Sequence, residues 1–208
     1  MSKQEGPVRS ESSAARFDLE SMARAIREFL EAAGVDLKNP HLEGTPQRVA
    51  KAWSEELLDG LETDPALILA DTFAVEETSG EDTSEIVIAK DISFHGLCPH
   101  HLLPFQGVAH IGYLPKRKIA PFSGLARLLD CFSHRLEVQE TITRQVAEGL
   151  VTYLDAKGAA AVLESEQTCM TVRGVKRRGS RIVTTHFSSV FGSRADLRRD
   201  FLRLIEKT

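Results

Sequence analysis

Apolar residues recur at helical spacing from Leu19 onward: Leu19, Met22, Ala23, Ile26, Phe29 and Leu30 share one face. Asp18 is placed to cap this helix and Gly34 to stop it. A second helix is predicted to start at Thr45-Pro46, with Thr45 as N-cap and Val49, Ala52, Trp53 and Leu57 as its apolar stripe. Asp64-Pro65 opens a short third helix. Residues 1–17 have no periodicity and read as a mobile tail, and Glu76–Ser84 is polar and acidic, a loop.

The period then changes from helical to alternating. Glu85–Ser93 and Phe105–Leu114 read as strands, followed by helices over Ser123–Arg135 and Val138–Ala156. Ala159–Glu164 predicts a buried strand. Thr168–Val175 and Arg181–Phe187 predict a strand pair across a Lys176–Gly179 turn, and Leu197, Phe201, Leu204 and Ile205 mark a closing helix. Strand pairs flanking a helix pair predict an α+β fold, an antiparallel sheet with two helices on one face.

Composition narrows the class. With 42% hydrophobic and 27% charged residues, the 208-residue chain has ordinary globular values. No apolar run reaches the roughly 18 residues of a membrane span, and no secretory h-region precedes Phe17. Three cysteines, Cys98, Cys131 and Cys169, cannot all pair internally, which predicts a reduced, cytoplasmic protein. The 26 Lys and Arg against 30 Asp and Glu leave a net charge of −4, unevenly spread. Glu55–Glu85 holds eleven acidic residues and no Lys or Arg, whereas Arg173–Thr208 holds ten basic and three acidic ones. Such a basic end suits an anionic partner, or else a solvated face.

The candidate chemistry lies in Cys98, His100, His101 and Cys169. Zinc takes thiolate and imidazole ligands, and three protein ligands leave a fourth position open for catalysis. Cys98 and His101 are spaced to share one ion across a turn, with Cys169 as a third ligand from a neighbouring strand pair. Taken alone the spacing is a weak signal, and two buried thiols beside a polar histidine loop fit these residues better. Cys131, among Leu128, Leu129 and Phe132, reads as a small core residue.

Four blocks resemble the GTP cyclohydrolase I family: Gly44-Thr-Pro-Gln-Arg-Val-Ala-Lys51, Cys98-Pro-His-His-Leu-Leu-Pro-Phe105, Val138-Gln-Glu140 and Cys169-Met-Thr-Val-Arg-Gly174. Their order and separations agree with the family from about Asp18 to the C-terminus. The resemblance implies a tunnelling fold, a ββααββ-type sheet assembled into an oligomeric β-barrel, over residues 76–208. A helical region at 18–75 and the tail at 1–17 precede it. It implies a homodecamer with active sites between neighbouring subunits, Zn2+ held by Cys98, His101 and Cys169, and GTP as substrate, with neither nucleic acid nor membrane as partner. It assigns proton transfer to His100 and reading of the guanine edge to Gln139 and Glu140. Triphosphate contacts fall to Arg48, Lys51, Arg127 and Arg173, with Ser123 in the same pocket. The implied reaction is attack of a zinc-activated water on C8, loss of formate and closure to 7,8-dihydroneopterin triphosphate, the first step of tetrahydrofolate and pterin synthesis.

Three positions depart from the family pattern. Pro99 stands where it has Glu, Gly124 where it has a triphosphate lysine, and Gln167 where it has a catalytic His. An amide does not titrate near neutral pH, so Gln167 holds a water or substrate oxygen but moves no proton. His95 or His186 is the available substitute imidazole. Three readings follow: the full reaction; a divergent paralogue that stops at a formamidopyrimidine or takes another purine nucleotide; and a non-catalytic nucleotide- or pterin-binding member.

Overall fold

The computed structural model describes residues 17–74 and 85–206, so the predicted tail and the Glu76–Ser84 loop lie outside the described residues, save Phe17. The first helix, α1 (Leu19–Ala32), is capped by Asp18, whose side chain accepts from the Ser21 amide at 3.0 Å. The second, α2 (Thr45–Ala52), corrects the predicted cap. Gly44 takes the N-cap position in the left-handed region at φ 69°, and Thr45 becomes the first helical residue. The helix continues as a π-turn over Trp53–Leu57, and α3 (Pro65–Ile68) starts behind Asp64, which accepts from the Ala66 amide. A two-residue strand β1 (Phe73–Ala74) follows.

The centre of the chain is a four-stranded sheet built from β2 (Val87–Leu97), β3 (Pro104–Leu114), β5 (Gly158–Gln167) and β6 (Ile182–Ser189). The strand order is β2-β3-β5-β6 and every pairing is antiparallel. The short β4 (Lys118–Ile119) pairs with β1, and α4 (Phe122–Ser133) and α5 (Gln139–Tyr153) lie between β4 and β5. After β5 come the single turn α6 (Thr168–Thr171), then β6, the turn α7 (Val190–Ser193) and α8 (Ala195–Glu206).

Alternation along the strands explains why both faces are covered. Ala109, Ile111, Tyr113, Ala159, Ala161 and Leu163 pack with Leu125, Leu128, Leu129, Ile142, Val146 and Leu150 of α4 and α5 in one core. The opposite face, with Ala160 and Val162, packs on Leu197 and Phe201 of α8. The closing helix thus covers the second face, which the sequence pattern left unassigned. Cys131 is buried in the first core, as its neighbours predict. At Gly107 the strands touch: a Cβ there would stand 1.9 Å from the Glu164 carbonyl oxygen, so no larger residue fits.

Two expected strands change. The first runs past Ser93 to Leu97 and so contains His95. The expected strand at Thr168–Val175 is instead α6 followed by turns. Gly174 and Lys176 sit at φ 61° and 50°, and the Arg177 amide donates to the Met170 carbonyl at 2.9 Å, which closes a loop rather than a ladder. Arg181–Phe187 therefore finds its partner in β5.

Candidate active site

Register decides which loops become neighbours. Leu97 pairs with Pro104, and Phe105 pairs with Gln167, so the 98–103 turn and α6 emerge side by side at one end of the sheet. The turn is closed by its backbone: the Cys98 amide donates to the Leu103 carbonyl at 3.0 Å and the Leu102 amide to the Cys98 carbonyl at 2.9 Å. Leu102 holds φ 54° to complete it. Cys98 is buried, while His100 and His101 are exposed.

Cys169 sits on α6 rather than on a strand, in the neighbourhood of the Cys98 thiol. Partial burial and the Cys98 sulfur push the Cys169 thiol above its ordinary value. A thiol whose ionisation is opposed by burial and a neighbouring sulfur is a setting that a divalent cation relieves. The imidazole beside Cys98 is His100, whose Nδ1 stands 3.6 Å from Cys98 Sγ. The expected trio of Cys98, His101 and Cys169 does not converge. Among the described residues no three His, Cys, Asp or Glu side chains form a group able to hold an ion. The tight turn brings the ring two residues after the thiol back over it, and the next ring lies exposed. The donor set, two thiols with an adjacent imidazole, still fits zinc by its chemistry.

The start of α5 reaches the same end. The connection from α4 passes beside the turn, since Leu136 bridges Leu97. Glu140 is exposed in the first helical turn, where the helix dipole favours a carboxylate. Gln139 is only 3% exposed, and its side chain is engaged within the chain. Its Nε2 lies 2.9 Å from the Leu163 carbonyl, 3.1 Å from the Ile182 carbonyl and 3.0 Å from Thr184 Oγ1. Its Oε1 accepts from Ser165 Oγ at 2.5 Å and from Gln167 Nε2 at 3.0 Å. Gln167 Nε2 also donates to Ser165 Oγ at 2.8 Å. Thr143 Oγ1 donates to the Gln139 carbonyl at 2.7 Å and meets Thr184 Oγ1.

Ser165, Thr184 and Thr143 escaped the sequence reading. A signal for one of them exists: Ser165 continues, with Gln167 and at period two, the core-facing series Ala159, Ala161, Leu163. Neither substitute imidazole stands at Gln167. His95 Nε2 meets the Glu56 carbonyl at 3.0 Å and its ring stacks on His134, while His186 Nε2 faces Glu148 at 3.7 Å.

The basic residues are dispersed. Arg173 is exposed just beyond α6. Ser123 and Arg127 lie on α4, whose start is fixed to the other end of the sheet by the Ala120 amide donating to Tyr113 Oη at 3.0 Å. Some ten helical residues, roughly 15 Å, separate Ser123 from the end of α4 beside the turn. Arg127 Nε donates to the Ser123 carbonyl at 3.3 Å. Arg48 donates to the Glu43 carbonyl at 2.6 Å and to Thr45 Oγ1 at 2.7 Å, and Lys51 stands 3.8 Å from Glu55. Gly124 is buried in the first turn of α4, where a Cβ would meet the Pro121 ring at 3.3 Å.

Fold and site together define an α+β enzyme whose thiol–imidazole cluster sits where two strand ends meet. The family model for GTP cyclohydrolase I matches residues 22–206. The chain is 42% identical to a GTP cyclohydrolase 1 of Halalkalibacterium halodurans, over 92% of this chain and 98% of that protein. It is 39% identical to one of Chromobacterium violaceum, over 92% and 90% of the two chains. It is also 43% identical to one of Bifidobacterium longum, over 81% and 82%. The chain belongs to the GTP cyclohydrolase I family and is a hydrolase of that type.

Proposed function

We propose that the chain opens the guanine imidazole ring of GTP at C8, releases formate and yields 7,8-dihydroneopterin triphosphate, the entry to tetrahydrofolate and pterin synthesis. The observation that carries this reading is the register that gathers Cys98, His100, Cys169 and the Glu140 turn at one sheet end. Cys98 and Cys169 would hold zinc together with His101, whose exposed ring would have to swing onto the thiols to complete the set. When bound, zinc supplies Lewis-acid activation of water for attack on C8.

Glu140 accepts two hydrogen bonds from the N–H donors of the 2-amino-4-oxo pyrimidine edge. His100, beside the thiols, is the proton carrier for opening the five-membered ring. Gln139 serves the base site from behind, since its side-chain amide is engaged by Leu163, Ser165, Gln167, Ile182 and Thr184. Arg48, Lys51, Arg127, Arg173 and Ser123 bind the triphosphate, Arg as a bidentate donor and Lys as a point charge.

Ser123 and Arg127 belong to the far half of the sheet, so a complete site requires a second copy. This supports the tunnelling-fold barrel over residues 76–208, closed as a homodecamer, with the 18–75 helices on its outside and the 1–17 tail appended. Among the described residues no helix is long and apolar enough to cross a membrane.

A second reading, a paralogue that stops at a formamidopyrimidine, is favoured by Gln167, whose locked amide offers no titrating group for the later proton transfers. Chromatographic separation of the products formed from GTP tests both. Formate with a fluorescent pterin supports the full reaction. A formamidopyrimidine alone supports the truncated one, and neither product from zinc-loaded protein contradicts both and leaves the binding-protein reading.

A further inference from the structure

The buried amide network at the sheet end has an asymmetric wiring that suggests a task for Gln167. Both N–H groups of Gln167 are spent inward, on Gln139 Oε1 and Ser165 Oγ. Gln139 is the first residue of α5, a helix whose N-cap, Val138, provides no side-chain cap. The start of α5 is therefore held by the Gln139 side chain, which bonds to β5 and β6, and by Thr143. Gln167 is the last residue of β5 and leads directly into α6, which carries Cys169. Its amide is the side-chain link from the Cys169 segment to the Gln139–Ser165–Thr184 network.

We infer that Gln167 is a positioning residue that couples the thiol end of the site to Glu140, acting through Gln139 and Ser165 rather than as an acid or base. The wiring explains why an amide suits this position. A carboxylate has no N–H to offer Gln139 Oε1 or Ser165 Oγ, and it would stand against an acceptor. An apolar side chain of the same length would leave Gln139 Oε1 with only the Ser165 hydroxyl, in a site 8% exposed at Gln167. An imidazole N–H replaces one of the two donors. Loosening the link frees the first turn of α5, so Glu140 is held less well against a substrate edge. The effect then falls on KM more than on the bond-breaking step.

This inference rests on the proposed function for its kinetic arm only. The experiment is a double-mutant cycle of Gln167→Met and Glu140→Ala in the full-length, zinc-loaded protein, read by KM and kcat for GTP. Amide hydrogen exchange over residues 139–145 is measured in parallel. We expect Gln167→Met to raise KM about five- to tenfold, as loss of hydrogen bonds to a buried network implies, with zinc content unchanged. In the Glu140→Ala background the same change should leave KM within about twofold, because the residue it acts through is gone. Gln167→His should recover part of the KM, and Gln167→Glu none of it. Exchange across 139–145 should quicken in Gln167→Met and Gln167→Glu. Additive KM effects, or unchanged exchange in a folded Gln167→Met protein, overturn the inference. Absence of GTP turnover in the unsubstituted protein counts against the proposed function instead, and the exchange result then decides the inference alone.

Discussion

The two ends of the four-stranded sheet are built differently. At the end that carries the 98–103 turn and α6, polar side chains are buried and satisfied by one another, as with Gln139, Ser165 and Gln167. At the other end, where Leu114 pairs with Gly158 and α4 begins, packing is apolar; Ser123 is exposed and Arg127 bonds back to its own helix. A rigid cluster with thiols, imidazole and carboxylate suits orientation of a reacting ring, which requires preorganised groups. Cations tethered only to their own segments suit a flexible polyanion. On the proposed function, one chain carries two halves of a nucleotide site at opposite ends of its sheet, and a second copy would bring them together.

The largest expected effect breaks the rigid end. Cys98→Ser or Cys169→Ser should remove zinc and lower GTP turnover by more than about a hundredfold, beyond the range of changes to groups behind the ligands. Metal analysis beside the kinetics checks this. Glu140→Gln should cost about ten- to a hundredfold in kcat/KM, the value of a hydrogen bond to a charged group, with metal content unchanged. At the other end, Arg127→Ala should raise KM for GTP about tenfold, and the loss should shrink as salt rises. Hybrids of Cys98→Ser and Arg127→Ala chains, reassembled together, should regain about a quarter of the unsubstituted activity if each site draws on two copies. No recovery means that both halves act within one chain.

The smallest effect concerns stability alone. Burial raises the Asp130 carboxyl above its ordinary 3.8, Asp59 adds to this, and His134, 3.8 Å away, pulls the other way. A carboxyl raised in the folded state holds its proton longer than in the unfolded chain, so it lowers stability as pH rises above 3.8. Asp130→Asn should therefore melt about 2 °C higher near neutral pH and no differently below that value. Melting curves against pH read the difference.

Much of this was legible in the sequence because it depends on local pattern. The Asp18 cap, the Asp64-Pro65 start, the α5 helix and the buried Cys131 follow from spacing and cap chemistry over a few residues. The errors lie where non-local pairing decides. Thr168–Val175 has the β-branched composition of a strand, yet β5 already has β3 and β6 as partners, and the chain turns away through Gly174. Sequence cannot reveal that five chain partners surround the side-chain amide of Gln139, because those partners come from β5 and β6. The Cys98 and Cys169 pairing was accessible from the resemblance, but which histidine lies beside the thiol was set by the backbone of a six-residue turn.

Removal of C8 from the guanine ring is the step that distinguishes the proposed reaction from every alternative. Incubation with GTP carrying carbon-13 at C8, followed by carbon NMR, reads the fate of that atom directly. The label should leave the nucleotide and appear as formate, about one per GTP consumed. Label retained in the purine, or in a formyl group still attached to the nucleotide, contradicts the proposed reaction.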